Sequence, residues 1–200
     1  MLKLCKMANV KLSATELELV TNADFILTKN TIITKVYDLF GQLDMQYSAI
    51  IEQHNALPID VLKASSKISR GENYEGLPWV MLDSPRCFDT TDVFAIRTMF
   101  WWGNFCSITL HLKGKYKHLL HVEALQANTN GWFVCTNTDE WQHHFRQNNY
   151  HPLSIVQTQT LQQLSFIKLA KKIPLNEWDN IEIFCRETFG EIMEMIALAT

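Results

Sequence analysis

The chain has no glycine-rich phosphate loop, no paired cysteines and no long apolar run, and each absence closes off a class of protein. Only seven glycines occur in 200 residues, and none of the patterns G-x-x-x-x-G-K-[ST], G-x-G-x-x-G, G-x-S-x-G or H-E-x-x-H is present. The familiar phosphate-loop, dinucleotide, α/β-hydrolase and zincin classes are thereby removed. The five cysteines (Cys5, Cys87, Cys106, Cys135, Cys185) are odd in number and scattered. A secreted disulfide scaffold is shorter and denser in cysteine, so reduced thiols and a cytoplasmic location are expected. Nowhere do about 18 apolar residues run together, and lysines interrupt the first seven residues, so neither a membrane span nor a signal peptide is expected. Positive charge is not in surplus either. Eighteen lysines and arginines against 21 aspartates and glutamates give a net charge of −3, which is no footprint for nucleic acid.

What is there is ordinary globular material, 47% hydrophobic and 20% charged, read as one α+β domain over 1–200 with 1–12 a flexible tail. Ser13 and Glu16 have capping-box spacing, which predicts a short helix. From Asp24 to about Gln53 an apolar stripe (Phe25, Ile32, Val36, Leu39, Leu43, Tyr47, Ile50) predicts one long helix, with Gly41 a place for a kink, ending before Pro58. Lys67 to Pro78 is polar and glycine-bearing and reads as a loop. Trp79 to Asp83 reads as a short strand stopped by Ser84-Pro85. Tyr116 to Leu125 fits a short helix or an irregular segment, Gly131 to Thr136 a strand, and Asn137 to Phe145 a helix capped by Asn137 and Glu140. In 164–175 the alternation of Ile167, Leu169, Ile173 and Leu175 favours a strand, although a helix would group Lys168, Lys171 and Lys172. A C-terminal amphipathic helix is expected over Glu177 to Ala199. Helices at both ends of a run of strands suggest an antiparallel sheet with the long N-terminal and the C-terminal helix mainly on one face.

The clearest local motif is Val93 to Trp102, Gly103-Asn104, then Phe105 to Leu112, read as a hairpin with a two-residue turn. In that register Trp102 faces Phe105. One face then carries Ala95, Arg97, Met99 and Trp101 with Cys106, Ile108, Leu110 and Leu112. The other carries Ile96, Thr98, Phe100 and Trp102 with Phe105, Ser107, Thr109 and His111. A slip of one residue would exchange faces.

The candidate site residues follow from this map. Arg70, Glu72, Asn73 and Tyr74 crowd one polar stretch, Asp83 and Arg86 flank a turn, and Arg97 stands on an apolar face. A guanidinium there must be paired or meet an anion. It is therefore either a strut to Glu72, Asp83 or a helix carboxylate, or, with Arg70 or Arg86, a clamp for an anionic ligand. Trp102 and His111 belong to an aromatic face with hydroxyls, which suits either a small-molecule pocket or a helix-covered core. His118, His121 and Glu123, and the later group His143, His144 and His151, lack a second half-site for a metal, so no metal and no cofactor is expected. The acidic face of the last helix is either solvated or the contact of a homodimer.

The stretch from Lys67 to Leu112, with SRGENYEGLPWVMLDSPR and FAIRTMFWWGNF, resembles uncharacterised bacterial proteins of unknown function. The resemblance implies a bacterial origin and no activity. Three functional expectations stand beside each other. The first is a binding protein for a small anionic or aromatic ligand at Arg70, Glu72, Asn73, Tyr74, Arg86, Arg97, Trp102 and His111. The second is an enzyme using His111 or Tyr74 for proton transfer, and the third is an oligomerisation module.

Overall fold

Ser13 opens the first helix with a reciprocal cap. Its hydroxyl accepts from the Glu16 N–H (3.3 Å) while its own N–H donates to the Glu16 carboxylate (2.7 Å). The structure is a computed structural model that describes residues 10–54, 57–121, 125 and 130–197. The expected tail up to Asn9, the candidate ligand Glu123 and the end of the expected C-terminal helix at 198–199 lie outside the described residues. In chain order the elements are α1 (Ala14–Thr21), α2 (Ala23–Glu52), α3 (Ile59–Leu62), β1 (Lys67–Tyr74), β2 (Leu77–Phe88), β3 (Val93–Trp101), β4 (Phe105–Lys113), β5 (Phe133–Cys135), β6 (Tyr150–Pro152), α4 (Thr158–Gln163), β7 (Phe166–Pro174) and α5 (Ile181–Ala197). A 3-10 turn, Gly114–Leu119, follows β4, and another, Leu175–Asn180, leads into α5. The fold class is α+β. Among the described residues no helix is long and apolar enough to cross a membrane.

The chain divides into two units, one up to Lys35 and one from Val36 onward. The first consists of α1 and the start of α2. Asn22 separates these helices in an extended conformation, its N–H bonded to the Leu19 carbonyl and its Oδ1 accepting from the Phe25 N–H. The second unit holds the rest of α2 and a seven-stranded antiparallel sheet in the order β1-β2-β3-β4-β7-β5-β6.

One sheet face meets helices. Val36, Phe40, Leu43 and Tyr47 of α2 are fully buried, as are Cys185, Phe189 and Ile192 of α5. Tyr47 stacks on Phe189 (centroids 4.0 Å apart) and shares a hydrogen bond with Thr98 of β3 (3.0 Å). Ile96, Ile108, Leu110 and Leu169 supply the sheet side of this core. Helix α2 runs through Gly41 without a break.

Several expectations are corrected. Lys67 to Pro78 is not a loop. It forms the edge strand β1 and the start of β2, joined at Glu75 (φ 51°) and Gly76 (φ 85°). Positive φ at both central residues is the turn that matches strand twist, and Asn73 Oδ1 ties it by accepting from the Gly76 N–H. Strand β2 does not stop at Ser84-Pro85. A register shift between Asp83 and Arg86 absorbs the proline, which has no N–H for the ladder, and pairing resumes to Phe88.

The hairpin register is the third correction. Trp101, not Trp102, faces Phe105, because Trp102 belongs to a three-residue connection closed by the Asn104 N–H on the Trp101 carbonyl. The faces therefore regroup. Arg97, Met99 and Trp101 share their side with Phe105, Ser107, Thr109 and His111, and the apolar face assigned to Arg97 does not exist.

That second face is covered by residues 137–149, which do not form the expected capped helix. Asn137 Oδ1 accepts from the Asp139 N–H, and Asp139 Oδ1 from the Trp141 N–H. Such local side-chain bonds compete with the helical ladder. The carbonyls of Glu140 and Gln142 accept instead from Lys168 Nζ of β7 (2.8 and 2.5 Å).

Candidate functional site

Asp83 and Arg97 are cross-strand partners in β2 and β3. Arg97 Nε and Nη2 donate to the two Asp83 oxygens at 2.6 and 3.1 Å, with both residues buried. This bidentate pair is the strut geometry foreseen as one alternative for Arg97. The remaining Nη1 lies 3.4 Å from His143 Nε2, and the guanidinium is 5.4 Å from the centre of the Trp141 ring.

Next to the strut, His111 Nε2 lies 3.4 Å from Glu140 Oε2, and Lys113 Nζ donates to Glu140 Oε1 at 2.8 Å. Burial first, then the charges of Lys168, Arg97 and Lys113, pushes the His111 pKa down to about 3. Among the described residues neither His111 Nε2 nor Glu140 Oε2 has a hydrogen-bond partner, so their approach is a close contact and not a hydrogen bond. His143 is held well below the ordinary imidazole value by burial first, then by the charges of Lys168 and Arg97 and by the neighbouring His111 and His144. Burial lowers the Lys168 pKa to about 8. The cluster is dense in charge but sealed, with His111 and Lys168 both under 4% exposed.

The sequence-derived candidates divide between places. Tyr74 lies on the same side as Arg97 and His111. Its hydroxyl accepts from the N–H groups of His143 (2.8 Å) and His144 (3.1 Å), and its ring meets Trp101 edge-on. Arg70 is on the helical side, 5.7 Å over the Tyr37 ring. Arg86 shares the Arg97 side but lies over Phe88 at 4.3 Å. Glu72 and Asn73 are exposed at the β1 end. Trp102 is half-buried against Phe100 at the hairpin turn. The set thus brings Tyr74, Arg97 and His111 together around His143 and leaves the other five elsewhere.

Among the described residues this side of the sheet holds a cavity of about 330 Å³. Trp101, Phe105 and Phe145 form its aromatic wall, Gly103 and Asn104 one rim, and His144, Arg146 and Lys172 its polar groups. His144 is 5% exposed, and its Nδ1 has no hydrogen-bond partner. Lys172 Nζ stands 4.8 Å from the Phe145 ring centre, 5.5 Å from Phe105 and 5.8 Å from Phe133. Among the described residues no carboxylate pairs with it. Arg146 is bonded to the Glu75 carboxylate through both Nη atoms.

These cavity residues were not among the candidates. Two signals pointed at them, namely the basic group Lys168, Lys171, Lys172 and the histidine group at 143 and 144. In a strand Lys168 and Lys172 share a face and Lys171 takes the other, where it reaches Glu191. Among the described residues no group of three or more histidine, cysteine, aspartate or glutamate side chains is arranged to hold a metal.

No family model, no curated protein and no solved structure matches the chain.

Proposed function

We propose that the protein binds a small ligand in the cavity beside the hairpin turn, and that the ligand carries an anionic group on an aromatic body. The observation that carries this reading is Lys172, an ammonium with no carboxylate partner among the described residues and three aromatic rings within 6 Å, beside a buried histidine whose Nδ1 has no hydrogen-bond partner there. Lys172 is exposed, so its ammonium is open to an incoming anion, and the ring faces near it favour its position at the cavity. The aromatic wall offers ring stacking, and the volume is within the range of small-molecule sites. Arg97 is no part of this site, since Asp83 already takes two of its donors.

Proton transfer by His111 or Tyr74 has less support. His111 is sealed beneath residues 137–149, and the Tyr74 hydroxyl is occupied by two N–H donors with a pKa that burial raises.

Calorimetric titration with phenyl phosphate and benzoate, and with benzyl alcohol as the neutral control, tests the reading. The anions are expected to bind and the alcohol not, with Lys172→Met weakening the anions about tenfold, the loss of roughly one charge-assisted contact. Absence of binding by either anion at millimolar concentration, or equal binding to the variant, would overturn it.

A further inference from the structure

The two cations of the cavity wall are treated differently. Lys172 has no carboxylate partner among the described residues. Arg146 instead meets the Glu75 carboxylate through both Nη atoms, with Nη1 3.0 Å from Oε1. Glu75 comes from the β1–β2 turn, 71 residues earlier in the chain, and sits there at φ 51°. Among the described residues every other positive φ belongs to a glycine. That backbone region crowds a Cβ, and the first position of such a turn is usually asparagine, aspartate or glycine. The turn therefore gains nothing locally from a glutamate. What this side chain does is cross to Arg146 and cancel its charge at the cavity.

We propose that Glu75 is a specificity-determining residue of the cavity, and that it narrows the ligand to a singly charged anion, an aromatic carboxylate. The inference rests on the cavity reading above and adds which anion fits. With Arg146 matched by Glu75, Lys172 is left as the unbalanced ammonium of the wall. A carboxylate neutralises it one for one. A phosphate dianion brings a second charge, but Arg146 is already held, and the carboxylate that holds it repels the newcomer. Rejection of this kind, by a fixed charge that the wrong ligand must face, is a common source of selectivity. A dianion also sheds more water to settle against the aromatic wall, and a single ammonium offsets less of that cost. Trp101, Phe105 and Phe145 receive the ligand's ring in either case, so the choice between the two anions falls to charge.

Calorimetric titration of the full chain at about pH 8, where a phosphate monoester is a dianion, tests it. Benzoate is expected to bind the unaltered protein at least as tightly as phenyl phosphate, in spite of its smaller charge. Glu75→Gln frees Arg146 and is expected to tighten phenyl phosphate about tenfold, the gain of roughly one charge-assisted contact, and benzoate about threefold at most. Glu75→Gly, which also relieves the positive φ, is expected to shift the ratio of the two affinities the same way. The double variant E75Q/R146Q removes both charges together and is expected to restore the ratio of the unaltered protein. Three outcomes would sink the inference while leaving the cavity reading intact. They are a parent protein that prefers phenyl phosphate, single variants with the parent's ratio, and a double variant that keeps the shifted one. If neither anion binds the parent, the cavity reading fails and this inference with it.

Discussion

His111 and Lys168 are cross-strand partners in β4 and β7, and burial, reinforced by the lysine's charge, keeps the imidazole neutral. Two groups that would repel as cations are accommodated because one of them does not ionise and the other is wrapped by backbone carbonyls. The consequences are measurable.

Acid should unfold the protein through this pair. The folded pKa of His111 is about 3 against 6.5 for a free imidazole, so between those values the unfolded chain binds the proton that the folded chain refuses. Stability is therefore complete above pH 6.5 and is lost progressively as pH falls towards 3. His143 acts in the same direction. Urea unfolding midpoints measured across this window should fall, and His111→Gln should flatten part of the decline. A variant with the slope of the parent protein would refute the account.

Lys168 predicts the opposite end of the scale. Its folded pKa of about 8 lies below the ordinary 10.5, so stability should rise with pH from about 8 until the tyrosines titrate near 10. Beyond that, burial raises the pKa values of Tyr47 and Tyr150 in the fold, and stability should fall as the unfolded chain ionises first. Lys168→Met should abolish the rise and speed hydrogen exchange of backbone amides in 140–145. Unchanged exchange would mean that the lysine does not hold this segment.

Removing one member of the buried pair Arg97–Asp83 should cost about 3–5 kcal/mol, because the other charge is left unpaired. Arg97→Met is the informative change, and the double variant D83L/R97M should recover most of the loss. An R97M protein as stable as its parent would return Arg97 to the list of ligand contacts.

How much of this was readable in the sequence depends on how local the cause is. The capping box at Ser13, the stripe of α2 and the alternation of β7 are short-range patterns, and each marks a real element. Strand β1 escaped because an edge strand tolerates polar residues on both faces, and because Gly71 permits the approach of the Trp79 ring. A Cβ there would stand 2.7 Å from that ring. The hairpin slipped by one residue because Trp102, a strand former by propensity, is spent in the turn. Asn137 and Glu140 have the spacing of a cap, but the same asparagine chemistry also makes a tight turn, and Lys168, far along the chain, decides between them.

The candidate site was harder to read because its parts meet through pairing. Lys172 reaches Phe105 only because β7 lies against β4, and His144 arrives on a connection without regular structure. Residues that look alike in a sequence list part when the strand forms: Lys171 reaches α5, while Lys168 and Lys172 share the other face, one holding residues 140–142 and one at the cavity.

The strand order carries a consequence for the growing chain. Because β7 lies between β4 and β5, the polypeptide emerging from the ribosome makes both sides of a gap before it makes the piece that fills it. Until Pro174 is free, a four-stranded meander and a small two-stranded hairpin must wait with facing edges open. The last fifth of the chain turns two fragments into one sheet.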